Sequence, residues 1–345
     1  MYFMKIKLKP IEEQVVVVVG ATSGIGRLTA QRFAERGAKV VVVGRDEPAL
    51  ATLMQEVHSR GGEAISVTAD VSDYAQVQAI AYQALAAFDR IDTWVHAAAA
   101  SIYAQINDIT PEELKRVIEV NLVGQMYGAH VALPVLQRQN QGALIHISSV
   151  ESRRAMPFHV PYTASKFGVR GFLDALRMEL EYQQIPVSVT NIMPASINTP
   201  LFDKAVTRLG VKPRPIPPVY SPEIVADVIL YAAENPVREI YAGGAGQGLG
   251  LLQRISPRLV DRLVRPFSVR AQTTNEPKTD RAPSNLFRPI QGLDQVEGSF
   301  SHESKPFSAY TWLQTHPKAQ AGLTASLLLV GVLGAGWAFL ARQRA

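Results

Sequence analysis

The 345-residue chain has no cysteine. That excludes disulfides, thiol nucleophiles and thiolate metal sites, and it leaves the redox compartment unspecified. The first ten residues carry neither a long apolar run nor a cleavage site, so no signal peptide is expected. Aromatic and basic residues are not interleaved as they are on nucleic-acid-binding faces, although the net charge is +5. Part of that excess is local: Arg254, Arg258, Arg262, Arg265 and Arg270 stand against a single acid, Asp261. Such a stretch suits an acidic membrane surface as readily as a polynucleotide. Neither a nucleic-acid partner nor a bound metal is therefore expected. What remains is a globular composition, 47% apolar and 19% charged, with length for one large domain and extensions.

Residues 14–19, a glutamine followed by five valines, read as a strand buried on both faces. The strand runs into Gly20-Ala21-Thr22-Ser23-Gly24-Ile25-Gly26 and then a helix over residues 27–37. A strand, a glycine turn and a helix N-terminus cradle a diphosphate, because glycines admit the backbone and free N–H groups point at the anion. A second strand, 39–43, ends at Gly44-Arg45-Asp46. Arginine at that tip suits a ribose 2′-phosphate where an acid would suit a free hydroxyl, which predicts NADP(H) over NAD(H). A third strand, 64–68, leads to Asp70-Val71, placed beside an adenine edge. A helix over 72–88 and a fourth strand over 92–97 follow. This alternation predicts an α/β fold with a doubly wound parallel sheet.

Downstream lies Pro161-Tyr162-Thr163-Ala164-Ser165-Lys166. If Tyr162 opens a helix, Lys166 sits one turn on along the same face, where its ammonium lowers the phenol pKa. Ser149, at the end of a preceding strand, is placed to hold a carbonyl or alcohol oxygen. Alone, a tyrosine and a lysine four residues apart far more often describe an ordinary helix face. With the glycine turn they point to carbonyl–alcohol redox chemistry.

These stretches, with Val120-Asn121-Leu122, Ile147-Ser148-Ser149 and Pro194-Ala195-Ser196-Ile197-Asn198-Thr199, resemble the short-chain dehydrogenase/reductase family over roughly residues 10–245. The resemblance implies a Rossmann fold and a catalytic set of Asn121, Ser149, Tyr162 and Lys166. It selects Ser149 over Ser148, because the family serine lies thirteen residues before the tyrosine. Asn121 would interrupt its helix to place a water behind Lys166. Cofactor contacts would come from Gly20, Thr22, Ser23, Gly24, Ile25, Gly26, Arg45, Asp70, Val71, Ala97, Tyr162, Lys166, Pro194, Ile197 and Thr199. The sequence departs from the family pattern at His96-Ala97-Ala98-Ala99, where Asn-Asn-Ala-Gly is usual, and at Ala195, where glycine is usual. His96 is read as a hydrogen-bonded residue at a strand end. A homodimer or tetramer is expected through the helix bearing Phe167, Gly168, Gly171 and Phe172.

Residues 194–218, with Pro200, Pro213, Pro215, Pro217 and Pro218, read as a mobile lid over the substrate. The catalytic domain ends near residue 245. Residues 246–270 form a basic amphipathic segment broken by Pro257 and Pro266, either lying on a membrane or packed on its own domain. Residues 271–318 read as a polar linker. In the final segment, 319–345, residues 323–340 are uncharged and long enough at about 1.5 Å per residue to span a bilayer core of about 30 Å. The sequence thus predicts an NADP(H)-dependent oxidoreductase acting on a lipophilic carbonyl or alcohol. A single C-terminal anchor would hold its catalytic domain on the cytoplasmic side of a membrane. The alternative is a catalytically silent NADP-binding scaffold or redox sensor tethered in the same way.

Overall fold

The computed structural model describes residues 6–244, 247 and 256–323. The chain opens with β1 (Val15–Val19), α1 (Gly24–Glu35), β2 (Lys39–Gly44), α2 (Glu47–Ser59), β3 (Glu63–Thr68), α3 (Tyr74–Phe88) and β4 (Thr93–His96). Then come β5 (Ile102–Tyr103), α4 (Pro111–Ile118), a π-helical turn at Glu119–Val123, α5 (Gly124–Gln139), β6 (Gly142–Ile147), α6 (Val160–Tyr182) and β7 (Val187–Pro194). Seven parallel strands, counting β12 below, form one sheet in the order β12-β7-β6-β4-β1-β2-β3. This is the doubly wound sheet expected from the strand–helix rhythm.

The valine run explains why the centre of the sheet lies where it does. Side chains alternate along a strand, so Val17 and Val19 join Val41 and Val43 in one apolar layer, while Val16 and Val18 join Val40 and Val42 in the other. All five valines of β1 are buried, each worth about 1.5–3 kcal/mol relative to exposure. Asp46 has a local task as well: its carboxylate caps α2 by accepting from the Ala49 N–H.

After β7 the expected lid is stitched down. It contains β8 (Ser196–Ile197), α7 (Leu201–Lys204), β9 (Val206–Thr207), β10 (Val211–Pro213) and β11 (Val219–Tyr220), and it precedes α8 (Pro222–Glu234) and β12 (Glu239–Ala242). β9 pairs with β5, and β11 with β8. These pairings make the segment a wall of the site.

The tail departs furthest from expectation. α9 (Pro257–Ala271) continues through Pro266, with Pro257 in its first turn. Its Val260 and Ser268 are buried, while Leu259, Leu263 and Phe267 are exposed. Residues 271–318 are packed, where a linker had been expected. β13 (Thr273–Pro277) pairs antiparallel with β10, and β14 (Ser304–Lys305) pairs with β11. Leu286, 1% exposed, enters a main apolar layer, and Phe300 packs with Tyr103, Phe202 and Ala205. α10 (Ala309–Thr315) caps the sheet edge, where the Gly243 N–H donates to Thr311 Oγ1 and that hydroxyl donates to the Tyr241 carbonyl. Two apolar side chains and a set of backbone hydrogen bonds order a stretch whose average composition is polar. Among the described residues no helix is long and apolar enough to cross a membrane. The expected span over 323–340 lies outside them, apart from Leu323.

Candidate active site

The glycine turn leaves β1 with Gly20 at φ +87° and Gly24 at φ +59°, both in the left-handed region that favours glycine. A Cβ on Gly26 would lie 2.1 Å from the Gly20 carbonyl oxygen, so α1 can start this close to β1 only without a side chain there. Ser23, the N-cap of α1, makes no side-chain cap bond, and its hydroxyl accepts from Lys204 Nζ at 2.8 Å. A cation therefore stands at the mouth of an uncapped helix N-terminus. Burial pushes the Lys204 ammonium down to about 8, opposed by the charges of Asp46 and Asp294.

The turn opens into a cavity of about 300 Å³. Every residue expected at the cofactor lines it, from Gly20 through Arg45, Asp70, Val71 and Ala97 to Pro194, Ile197 and Thr199, and so do Ser149, Tyr162 and Lys166. Asn121 stands behind the wall. It is fully buried in the π-helical turn, accepts from the Ala100 N–H at 2.8 Å and donates to the Ala100 carbonyl and the Ser165 hydroxyl.

The groups expected to react converge from two elements. β6 runs into Ser148, whose hydroxyl is spent on Asn191, and then into Ser149, whose Oγ accepts the Glu151 N–H at 3.1 Å. Ser149 thus keeps a hydroxyl proton for another acceptor. α6 supplies Tyr162 and, one turn later, Lys166, whose Nζ is 5.3 Å from the Tyr162 ring centroid and donates to the Ile147 carbonyl at 2.9 Å.

The electrostatics reverse one expectation. Burial, reinforced by the Glu151 carboxylate, pushes the Tyr162 phenol up, and the Ser149 hydroxyl opposes this. Burial also pushes Lys166 down to about 7 despite Glu151. Desolvation acts against charge on both groups and outweighs their proximity.

Two cofactor residues are also engaged differently from expectation. Arg45 donates to the backbone carbonyls of Asn285, Leu286 and Phe287 and lies 3.5 Å from the Asp70 carboxylate. Asp70 pairs with Arg116 at 2.5 Å and accepts from the Ser72 hydroxyl; these bonds outweigh burial and hold its carboxyl down at about 2. The tail also crosses the glycine turn, where the Gln295 carbonyl accepts the Gly24 N–H at 3.0 Å.

His96, expected to be hydrogen-bonded, is fully buried, has no hydrogen-bond partner on either ring nitrogen among the described residues, and stacks 6.1 Å from His146. Burial keeps its pKa well below the ordinary value.

Sequence reasoning missed the residues surrounding Tyr162. The rings of Tyr103, His159 and Tyr162 form a continuous stack with 4.3 Å between successive centroids. Phe202, Met156, Ile216 and Pro218 continue an apolar wall in which Arg214 is the cation. Phe202, Ile216 and Pro218 lie in the stretch read as a lid over the substrate, whereas for the stacked rings the only signal is the place of His159, three residues before Tyr162 at the start of α6.

The family model for short chain dehydrogenase matches residues 14–209. This chain belongs to the short-chain dehydrogenase family. An uncharacterized oxidoreductase, YxnA of Bacillus subtilis, is 38% identical over 94% of this chain and 91% of its own length. Dehydrogenase/reductase SDR family member 7B of Bos taurus is 33% identical over 74% of this chain and 81% of its own. Among solved structures, a metagenomic short-chain oxidoreductase in complex with NADP superposes with a TM-score of 0.56 at 28% identity, covering 66% of this chain and 96% of its own. A short-chain dehydrogenase from Mycobacterium paratuberculosis bound to NAD gives 0.61, covering 69% and 100%, and at 24% identity it speaks to the fold alone. The YxnA match is too long to end with the family model, so this short-chain dehydrogenase shares more with that relative than its nucleotide-binding half.

Proposed function

We propose that this short-chain dehydrogenase interconverts a carbonyl and an alcohol with NADP(H), running as a reductase on a lipophilic substrate. The observation that carries this reading is that Ser149, Tyr162 and Lys166 meet in the cavity that begins at the glycine turn. The cradle fits a dinucleotide: Gly20 and Gly26 leave no room for a Cβ, the α1 N-terminus favours an anion, and Lys204 adds positive charge beside it.

A bound nicotinamide supplies the hydride chemistry. The chain's own residues handle the oxygen and its proton. Ser149 donates its hydroxyl proton to the substrate oxygen, stabilising negative charge as it develops. Tyr162 gives that oxygen its proton, a role matched to a phenol held protonated at neutral pH. Lys166 sits between Tyr162 and the Ile147 carbonyl, and the Asn121 turn locks the segments behind it. Preference for NADP(H) rests on Arg45, which would exchange its bonds to the 285–287 carbonyls for a 2′-phosphate. A lipophilic substrate suits the wall of Tyr103, Met156, Phe202 and Ile216. Membrane attachment rests on the uncharged run 323–340 and on exposed Leu259, Leu263 and Phe267 beside arginines on α9. Pairing of two copies is supported by exposed Phe167 and Met178 on α6.

The test is absorbance of the reduced nicotinamide with a panel of lipophilic and soluble carbonyls. Tyr162→Phe is expected to lower turnover roughly 10²- to 10⁴-fold and NADPH to outperform NADH. Cofactor binding without Tyr162-dependent turnover of any carbonyl would overturn the enzyme reading in favour of a silent scaffold.

A further inference from the structure

Ser149 and Tyr162 come from different elements, and something must hold them in register. Glu151 and His159 bridge those elements. Glu151 lies in the 3₁₀ turn that follows Ser149, and its backbone N–H orients the Ser149 hydroxyl. Its carboxylate reaches α6 twice, 2.9 Å from His159 Nδ1 and accepting from the Thr163 hydroxyl at 2.6 Å. His159, the N-cap residue of α6, is 3% exposed and has its other ring nitrogen 2.5 Å from the Ser101 hydroxyl. Its ring lies flat on Tyr162, 11° from parallel.

We propose that Glu151 and His159 are positioning residues for carbonyl–alcohol chemistry: together they clamp the Ser149 turn to the Tyr162 helix. The proposal rests on the function given above. The two residues divide the work. His159 fixes the plane of the Tyr162 ring, and Glu151 fixes His159 while supplying the charge that favours protonated Tyr162 and charged Lys166. The other titratable groups facing this centre are Tyr103 on β5, Arg214 across the cavity, and His96 and His146 behind Lys166. Burial pushes His146 down to about 3 and His96 well below its ordinary value, so both stay neutral through the working range.

The separation is testable in the full-length protein with NADPH and a carbonyl that wild type reduces. Glu151→Gln keeps the shape and removes the charge. Turnover is expected to fall roughly 10- to 10²-fold, and the alkaline limb of the reductive pH profile to move to lower pH, because Tyr162 and Lys166 both lose their protons more readily. His159→Asn is expected to lower turnover while leaving that limb in place, since the carboxylate remains. Circular dichroism and NADPH titration establish that each variant is folded and loaded. A folded Glu151→Gln variant with wild-type turnover and profile overturns the proposal, and so does a fully active His159→Asn. If wild type shows no Tyr162-dependent turnover, the functional reading itself fails and the role proposed for the pair falls with it.

Discussion

Leu286→Ala separates a packed tail from a solvated linker. Leu286 is 1% exposed and belongs to the apolar layer that also contains Val17, Val41 and Trp94. Truncation removes roughly three carbons at about 0.8 kcal/mol each, about 2.4 kcal/mol from transfer alone. The unfilled space raises the expected loss to about 2–5 kcal/mol. A leucine on a free linker would change stability by no more than about 0.5 kcal/mol. Urea unfolding of the full-length chain reads the difference as a lower midpoint at nearly constant slope. Limited proteolysis reads it a second way, because a tail that opens without global unfolding becomes cleavable between residues 271 and 305. A variant unchanged in both midpoint and cleavage rate would refute the packing of the tail.

Two further outcomes follow from the geometry. Gly26→Ala places a carbon 2.1 Å from the Gly20 carbonyl oxygen and should cost about 1–3 kcal/mol of local fit, read as roughly 10- to 100-fold weaker NADPH binding by titration; Gly171→Ala on α6, with nothing within 4 Å, is the control and should bind normally. Acidification should destabilise the protein through His146, whose folded pKa lies near 3 against an ordinary 6.5. The unfolded chain takes up that proton and the native one does not, so stability falls as pH drops below the ordinary value. The loss is about 2 kcal/mol by about pH 5. Asp70, held down at about 2, acts only below its ordinary 3.8, and thermal melts that do not move over this range would contradict the histidine's burial.

The parts of the fold legible in the sequence were those written in short-range pattern. Five consecutive valines, a glycine turn and a tyrosine–lysine pair one helical turn apart each impose their geometry locally. The tail was illegible because two buried apolar side chains, Leu286 and Phe300, anchor a stretch whose average composition is polar. Arg45 was read as free for a phosphate because its partners are backbone carbonyls, which any residue provides. Glu151 and His159 are eight residues apart in an irregular connection, so no periodicity announces them. Lys166 was credited with lowering the tyrosine pKa on proximity alone; burial, which emerges only from the assembled fold, reverses that shift.

The tail crossing Arg45 and the glycine turn is held at both ends, by β13 on β10 and by α10 on the sheet edge. It lies over the glycine turn like a buckled belt, and between the buckles Leu286, Phe300 and the β14–β11 pairing fasten it again. For the proposed function the consequence is steric: a dinucleotide reaching the turn has to displace the Gln295 carbonyl from the Gly24 N–H and the 285–287 carbonyls from Arg45.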